Sequence, residues 1–158
     1  MTAVTAALDA IGASYDVIAC DPAFADTAAF CEKYGYTAEE SANTILVASK
    51  SEPKQFAACI VSADRRLDVN GAVRRLLGVR KLSFASTEDT IARTGMMIGG
   101  VTPFGLPAEV PIYIDAAVMT QRSVIVGGGD RSSKVRLDPA VLAALPGAEV
   151  VEGLSQPR

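Results

Sequence analysis

The sequence predicts a single domain of the α/β or α+β class, built on a mixed β-sheet. Predicted strands outnumber predicted helices, and the two kinds of element are scattered along the chain instead of forming separate blocks. The 158 residues fit one domain, and a composition that is 49% hydrophobic and 21% charged is that of a globular protein. No repeat or internal linker divides the chain, so we expect one domain over residues 1–158.

Five segments show signals of α-helices. The first has apolar residues at helical spacing, and four of the five are followed directly by a glycine that can end a helix. Asp26 and Ser86 can each cap a helix N-terminus, and Pro139 stands at the favoured early position of the last helix. The predicted helices cover residues 2–11, 27–34, 69–77, 87–94 and 139–145.

Runs of aliphatic and β-branched residues predict the strands. A polar turn that contains Pro53 joins the second predicted strand to the third. The predicted strands cover residues 15–20, 44–49, 56–62, 79–85, 110–114, 123–126 and 133–137. Residues 148–158 carry no comparable pattern, so we expect a loosely ordered tail.

The charge is slightly acidic overall but locally basic. A net charge of −3 predicts no general affinity for nucleic acid. Lys50 and Lys54, with Glu52 between them, are expected to form a solvent-facing turn. One short basic stretch stands out, made of Arg65, Arg66, Arg74, Arg75, Arg80 and Lys81. Such a cluster is most often a solvated face, and the alternative is a contact with a few phosphates at one end of an RNA.

The composition excludes several kinds of chemistry. There is no histidine, so a Ser-His-Asp or Cys-His catalytic group is impossible within one chain, and we expect no metal site and no cofactor. The three cysteines lack CxxC spacing and fit reduced thiols better than a disulfide framework. No apolar run is long enough to span a bilayer, and no basic segment precedes an apolar one at the start. We therefore expect a cytoplasmic protein.

Two glycine-rich segments are candidate sites. The segment MIGGVTPFGLPAEVP, residues 97–111, is apolar and stiffened by proline, which indicates a backbone held for close approach to something else. Its amides can hold an anion or an oxyanion, although a structural loop is slightly favoured on physical grounds alone. Glycines 127–129 predict a hairpin connection and also leave room for a ligand. Asp115, at a strand end, can cap the next segment or point into a site.

Four segments together resemble the YbaK/EbsC and prolyl-tRNA-synthetase editing-domain superfamily, in order and in spacing. They are SADRRLD (62–68), TGMMIGGVTPFGL (94–106), VPIYIDAAV (110–118) and the glycines at 127–129. The resemblance covers roughly residues 15–147. It implies a barrel-like mixed sheet flanked by helices, and hydrolysis of mischarged aminoacyl-tRNA without a cofactor.

The resemblance also implies roles for individual residues. Backbone amides of a loop would surround the scissile ester carbonyl, and the substrate itself would assist catalysis; that loop is Gly99, Gly100, Val101, Thr102 and Pro103. The residues expected to bind substrate are Asn43, Ile45, Phe104, Asp115, Gly127 and Gly128. Members of the superfamily usually carry a lysine where this chain has Asn43, which removes a charge-assisted contact worth roughly 1.5–3 kcal/mol.

Three functions follow as hypotheses. The first is a free-standing trans-editing deacylase that acts on the acceptor end of a mischarged tRNA(Pro)-type substrate carrying a small amino acid, held by Ile45, Ile98, Val101 and Phe104. The second is an inactive relative that binds tRNA or an aminoacyl-nucleotide, because Asn43 replaces the lysine. The third is a small-molecule binding domain. We expect no contact with membrane or DNA, and either a monomer or a homodimer.

Overall fold

The computed structural model of the protein describes residues 2–96 and 100–158. The α-helices are α1 (Thr2–Ala10), α2 (Thr27–Tyr34), α3 (Arg74–Leu77), α4 (Thr87–Thr94) and α5 (Pro139–Ala143). Short 3-10 turns span Pro22–Phe24 and Ala116–Thr120, and a π-helical turn, Val69–Val73, runs directly into α3. All five predicted helices are therefore present.

Ten strands are present in the described residues, and they include all seven predicted strands. They are β1 (Tyr15–Ala19), β2 (Ala42–Ser49), β3 (Phe56–Ser62), β4 (Arg65–Leu67), β5 (Leu82–Phe84), β6 (Ile112–Asp115), β7 (Val124–Gly127), β8 (Ser133–Leu137), β9 (Ala148–Val151) and β10 (Ser155–Pro157).

The main sheet is mixed, as predicted. Its strand order is β5-β2-β3-β6-β9, in which β6 pairs in parallel with β3 and β9 while the other pairs are antiparallel. An antiparallel sheet β1-β8-β7 lies beside it, and β10 pairs with β4. A parallel bridge between Ser41 and Ile125 connects the two larger sheets. Over the described residues these strand orders are open, so the implied barrel-like sheet is not a closed barrel.

Local capping explains where several helices begin and end. The Ser86 hydroxyl accepts from the Asp89 N–H at 3.0 Å, and Gly95 ends α4 with a φ of 69°. The Asp68 carboxylate accepts from the N–H groups of Gly71 and Ala72 and so holds the π-helical turn. Asp26 precedes α2 as predicted, but it makes no side-chain capping bond and pairs with Arg131 at 3.2 Å.

Three apolar clusters hold the layers together. The largest lies between the two larger sheets and includes Val4 and Leu8 of α1 and the fully buried Phe104. A second covers the opposite face of the main sheet, where residues 67–79 and Leu154 pack. A third lies between α2 and the smaller sheet around Phe30 and Ile125. Residues of all three clusters line the candidate site, among them Leu46, Ile45 and Phe30.

The expected loose tail is not found, because the C-terminal residues form two strands that pair with other parts of the domain. Strand β9 adds to the parallel edge of the main sheet, and β10 pairs with β4. Leu154, between them, is fully buried in the second cluster. Strands β4 and β10 are three residues long, too short for an alternation pattern to reveal, and each is stabilised by its partner rather than by its own sequence.

This packing predicts that the tail stabilises the domain. We expect Leu154→Ala to lower the free energy of unfolding by about 2–5 kcal/mol, because it removes a buried side chain and leaves a cavity. Leu76→Ala is the matched control, since Leu76 is 38% exposed, and it should cost less than about 1 kcal/mol. Urea unfolding followed by circular dichroism measures both; equal, small effects would mean that the tail is not part of the folded core.

Candidate functional site

A cavity of about 370 Å³ opens at the junction of the two larger sheets. This volume is in the range of small-molecule sites. Its wall is mostly apolar, with a few polar side chains. The lining residues come from the N-terminal half of α2, from β2 and β5 with one flanking residue each, from α4, β7 and β8, and from the loop at 100–102. They are Thr27, Phe30, Ser41, Ala42, Asn43, Thr44, Ile45, Leu46, Phe84, Ala85, Thr90, Val101, Ile125, Val126, Gly127 and Lys134.

The two glycine-rich segments meet at this cavity. A Cβ atom at Gly127 would lie 2.2 Å from the Val101 carbonyl oxygen, and one at Gly100 would lie 2.1 Å from that of Asp130. The Gly129 N–H donates to the Gly100 carbonyl at 2.6 Å. The close approach that the glycines and prolines predict is therefore made by the two segments to each other, and only glycine allows it.

The loop at residues 100–102 carries backbone groups with no partner. Among the described residues, the N–H groups of Gly100 and Val101 find no hydrogen-bond acceptor, although Gly100 is buried. The Thr102 N–H donates to the Met96 sulfur at 3.4 Å. An unpaired buried donor costs free energy, so such groups commonly belong to a ligand or to water. The loop can accept an oxyanion at this position.

Asn43 is fixed in the cavity wall by α2. Its Oδ1 accepts a hydrogen bond from the Thr27 hydroxyl at 2.5 Å, which leaves its amide Nδ2 as the group that can donate. The neighbouring Thr44 hydroxyl is buried and has no hydrogen-bond partner in the described part of the chain. The cavity therefore offers neutral polar groups along β2.

Lys134 brings a positive charge to the same wall. It stands directly opposite Gly127 in the β7–β8 pair, so its side chain lies on the sheet face where the Val101 carbonyl packs against Gly127. The residue is only 6% exposed; its Nζ donates to the Ala25 carbonyl at 2.7 Å and lies 5.1 Å from the centre of the Phe30 ring. Burial lowers the pKa of this amino group.

Sequence analysis missed Lys134. A single lysine within an otherwise ordinary strand, SKVRL, has the pattern of an exposed position that alternates with the buried Val135. What identifies it is its register with Gly127 and the cover supplied by α2, and neither can be read from the strand itself.

The structure brings some predicted site residues together and separates others. Asn43, Ile45, Val101 and Gly127 line the cavity, and Gly100, Thr102 and Pro103 belong to the adjoining buried loop. Gly128 packs against Ser133, where a Cβ would lie 2.5 Å from the hydroxyl oxygen. The predictions for Gly99 and Ile98 fall outside the described residues.

Phe104 and Asp115 do not line the cavity. Phe104 is part of the main core, where the turn after Pro103 directs it inward. Asp115 makes no capping bond and is 3% exposed; its carboxylate accepts from the Ser155 hydroxyl and lies 3.7 Å from Arg65 Nε. It joins β10 to the main sheet and so has a structural position.

The comparison with known families fits this geometry. The sequence profile of the aminoacyl-tRNA editing domain family matches residues 21–145. The chain belongs to this family. The match includes α2, β2, the loop at 100–103 and β8, which are the segments that build the cavity.

Individual relatives of this editing domain are distant. It is 29% identical over 116 residues to YwhH, an uncharacterized protein of Bacillus subtilis (strain 168), covering 68% of this chain and 73% of that one. It is 23% identical over 108 residues to EbsC of Enterococcus faecalis (strain ATCC 700802 / V583), named as a candidate Cys-tRNA(Pro)/Cys-tRNA(Cys) deacylase, covering 68% of this chain and 63% of EbsC.

Solved structures share the fold of this editing domain over nearly its whole length. A crystal structure described as a proposed trans-editing enzyme for prolyl-tRNA synthetase superposes with a TM-score of 0.83 at 25% identity, covering 99% of this chain and 96% of that one. The hypothetical protein APE2540 superposes with a TM-score of 0.86 at 23% identity, covering 97% and 99%. The described residues contain no helix that is long and apolar enough to cross a membrane.

The glycine contact predicts the effect of a single added methyl group. Gly127→Ala should displace the loop at 100–102, because the new Cβ would overlap the Val101 carbonyl, and should cost about 1–3 kcal/mol of stability. Amide chemical shifts of residues 100–102 and urea unfolding measure the two effects. Gly147→Ala is the control: its φ of 78° makes the substitution strained, but nothing lies within 4 Å of its Cβ, so the loop shifts should not change.

The buried lysine predicts a dependence of stability on pH. The pKa of Lys134 is lower in the folded protein than in the unfolded chain, so between these two values the unfolded state binds more protons and stability rises with pH. We expect the free energy of unfolding to rise more between pH 8 and pH 10.5 in the wild type than in Lys134→Met. Burial also raises the pKa of Cys59, to about 12. Its contribution to the pH dependence of stability is the same in the wild type and in Lys134→Met, so the difference between the two curves reports Lys134. Parallel curves for the two proteins would contradict the assignment.

Proposed function

We propose that the protein is a trans-editing deacylase that hydrolyses the ester of a small amino acid wrongly attached to tRNA, of the tRNA(Pro) type. The observation that carries this proposal is the pair of amides at Gly100 and Val101, which find no acceptor in the described part of the chain, in the loop whose Val101 lines the cavity. The family supports the reaction class, and the name of EbsC and the description of the trans-editing structure support the substrate class.

In this proposal the loop stabilises the transition state. Water attacks the ester carbonyl carbon, and the negative charge that develops on the carbonyl oxygen is held by the N–H groups of Gly100 and Val101. The bond to the ribose oxygen then breaks, and that oxygen leaves with the proton that water gives up. Because the chain has no histidine, a hydroxyl or thiol of the substrate assists in directing the water, and the site contributes positioning.

Lys134 supplies the charge that is missing at Asn43. An ammonium group in a nearly dry wall acts on a developing oxyanion more strongly than one in water, since the local dielectric constant is low. Its position opposite Gly127 places it on the face where Val101 packs. Asn43 then contributes a neutral donor to the substrate, fixed by its bond to Thr27.

The size of the cavity favours a small amino acid. The volume of about 370 Å³ must hold the acyl group together with part of the terminal nucleoside. Ile45, Val101 and Phe30 close it with apolar surface. One methylene more or less in such a pocket changes binding by about 1–3 kcal/mol, so Ala, Ser and Cys are the acyl groups to compare.

The cytoplasmic location and the oligomeric state remain predictions.

Single-turnover deacylation of Ala-, Ser- and Cys-charged tRNA(Pro) tests the proposal, with Pro-tRNA(Pro) as the correctly charged reference. We expect the wild type to hydrolyse at least one mischarged species. Lys134→Met should lower that rate by about 10²-fold or more, the usual effect of removing one group that stabilises an oxyanion. Lys33→Met, an exposed lysine on the same helix that covers the site, is the matched control and should keep the wild-type rate. No hydrolysis above the rate without protein, for every substrate, would overturn the proposed function.

A further inference from the structure

A second cavity, of about 550 Å³, is lined almost entirely by cations. Its lining residues are Lys50, Ser51, Arg80 and Lys81, and all four are exposed. We call it the cationic groove. It joins the end of the predicted basic stretch to Lys50, which is far away in sequence and was expected only in a solvent-facing turn.

The backbone forces these charges together. The Lys50 N–H donates to the Lys81 carbonyl at 3.2 Å, which extends the β2–β5 pairing one residue beyond the pair of Ser49 and Leu82. Like charges directly across a strand pair destabilise it. Within residues 2–96 and 100–158, no carboxylate lies within 4.0 Å of these three cations, whereas nearby Lys54 pairs with Asp89 at 3.0 Å. The groove is therefore suited to an anion from outside the chain.

The groove and the first cavity lie at opposite ends of β5. Lys81 directly precedes β5 and Phe84 is its last residue, which is a distance of about 10 Å for three extended residues. Phe84 lines the first cavity and is 60% exposed, more than any other large hydrophobic residue in the described part of the chain. It stands opposite Val47, so it shares a sheet face with Ile45 in the cavity wall. By the same alternation Lys50 and Lys81 lie on the opposite face of the sheet. Strand β5 is the outer strand of the main sheet, so an extended ligand that follows this edge can contact both the cations and the Phe84 ring.

Two of the other arginines of the basic stretch have partners inside the protein. Arg65 donates to the Ser155 hydroxyl at 2.7 Å, and Arg74 donates to the Asn70 carbonyl at 2.8 Å. Arg66 and Arg75 are exposed but lie outside the groove, so Arg80 and Lys81 are the cations of the stretch that meet Lys50 there.

We propose that the cationic groove and Phe84 together bind the single-stranded 3′ end of the tRNA. Phosphates lie along Lys50, Arg80 and Lys81, a base stacks on Phe84, and the terminal acylated nucleoside enters the first cavity. Proteins that bind single-stranded nucleic acid combine these two features, a positive groove that follows the backbone and aromatic rings on which bases stack. This inference rests on the proposed function for the identity of the RNA.

Binding of an uncharged RNA minihelix that ends in CCA gives the first test, by fluorescence anisotropy at several salt concentrations. The double variant Arg80→Met/Lys81→Met should bind at least about 10-fold more weakly at low salt, and the slope of log K against log salt should fall by about 0.7 for each lost phosphate contact. Phe84→Ala should weaken binding about 5-fold or more while the slope stays the same. Arg122→Met, an exposed cation outside the groove, is the matched control.

Hydrolysis of two substrates separates this inference from the proposed function. The double variant should slow deacylation of aminoacyl-tRNA at limiting concentration about 10-fold and leave hydrolysis of aminoacyl-adenosine, which lacks the other nucleotides, unchanged. If the wild type hydrolyses both substrates and the double variant matches it in rate, Kd and salt slope, the groove is not the RNA contact. If the wild type hydrolyses neither but binds the minihelix through the groove, the proposed function fails and the RNA contact stands.

Discussion

The contact between two backbones, at Gly100–Val101 and Gly127–Gly129, is the constraint on which the site depends. Side chains at these glycines would overlap carbonyl oxygens of the opposite segment, so the loop and the end of β7 can approach only without them. Within residues 2–96 and 100–158, the amides of Gly100 and Val101 have no hydrogen-bond acceptor, and the Val101 carbonyl packs beside Gly127 on the face that carries Lys134. The requirement for glycine at these positions thus fixes the location of the Gly100 and Val101 amides relative to the strand pair that carries Lys134.

Lys134 shows how position changes the meaning of a residue. Its amino group is buried against the Ala25 carbonyl and the Phe30 ring, and removing an ammonium from water is costly unless bonds compensate. This cost of desolvation is what lowers the pKa of the amino group. A fold that keeps such a group at a cavity wall makes it effective on charge that develops nearby. The neutral Asn43 is therefore compatible with a site that retains a cation.

The proposed chemistry and the proposed RNA contact involve different residues. The cavity lies at the junction of the sheets, the cationic groove lies where β2 ends and β5 begins, and Phe84 is at the end of β5 that lines the cavity. The proposals therefore assign the acyl group and the nucleic acid backbone to separate parts of the β2–β5 pair. The acidic net charge of −3 is compatible with RNA binding at the groove. A few exposed cations act on phosphates nearby, whereas salt screens the repulsion from distant carboxylates.

The sequence by itself determined the elements whose signals are local: the five helices, seven of the ten strands in the described residues, and the family through the order of its motifs. Tertiary structure decided what depends on partners distant along the chain. Strands β4 and β10 have too few residues to carry a pattern, Phe104 turns into the core, and Lys134 and Lys50 acquire their surroundings from strands paired with their own. The physical reason is that backbone propensity and periodicity act over neighbouring residues, whereas burial and electrostatic environment are set by register and packing between segments.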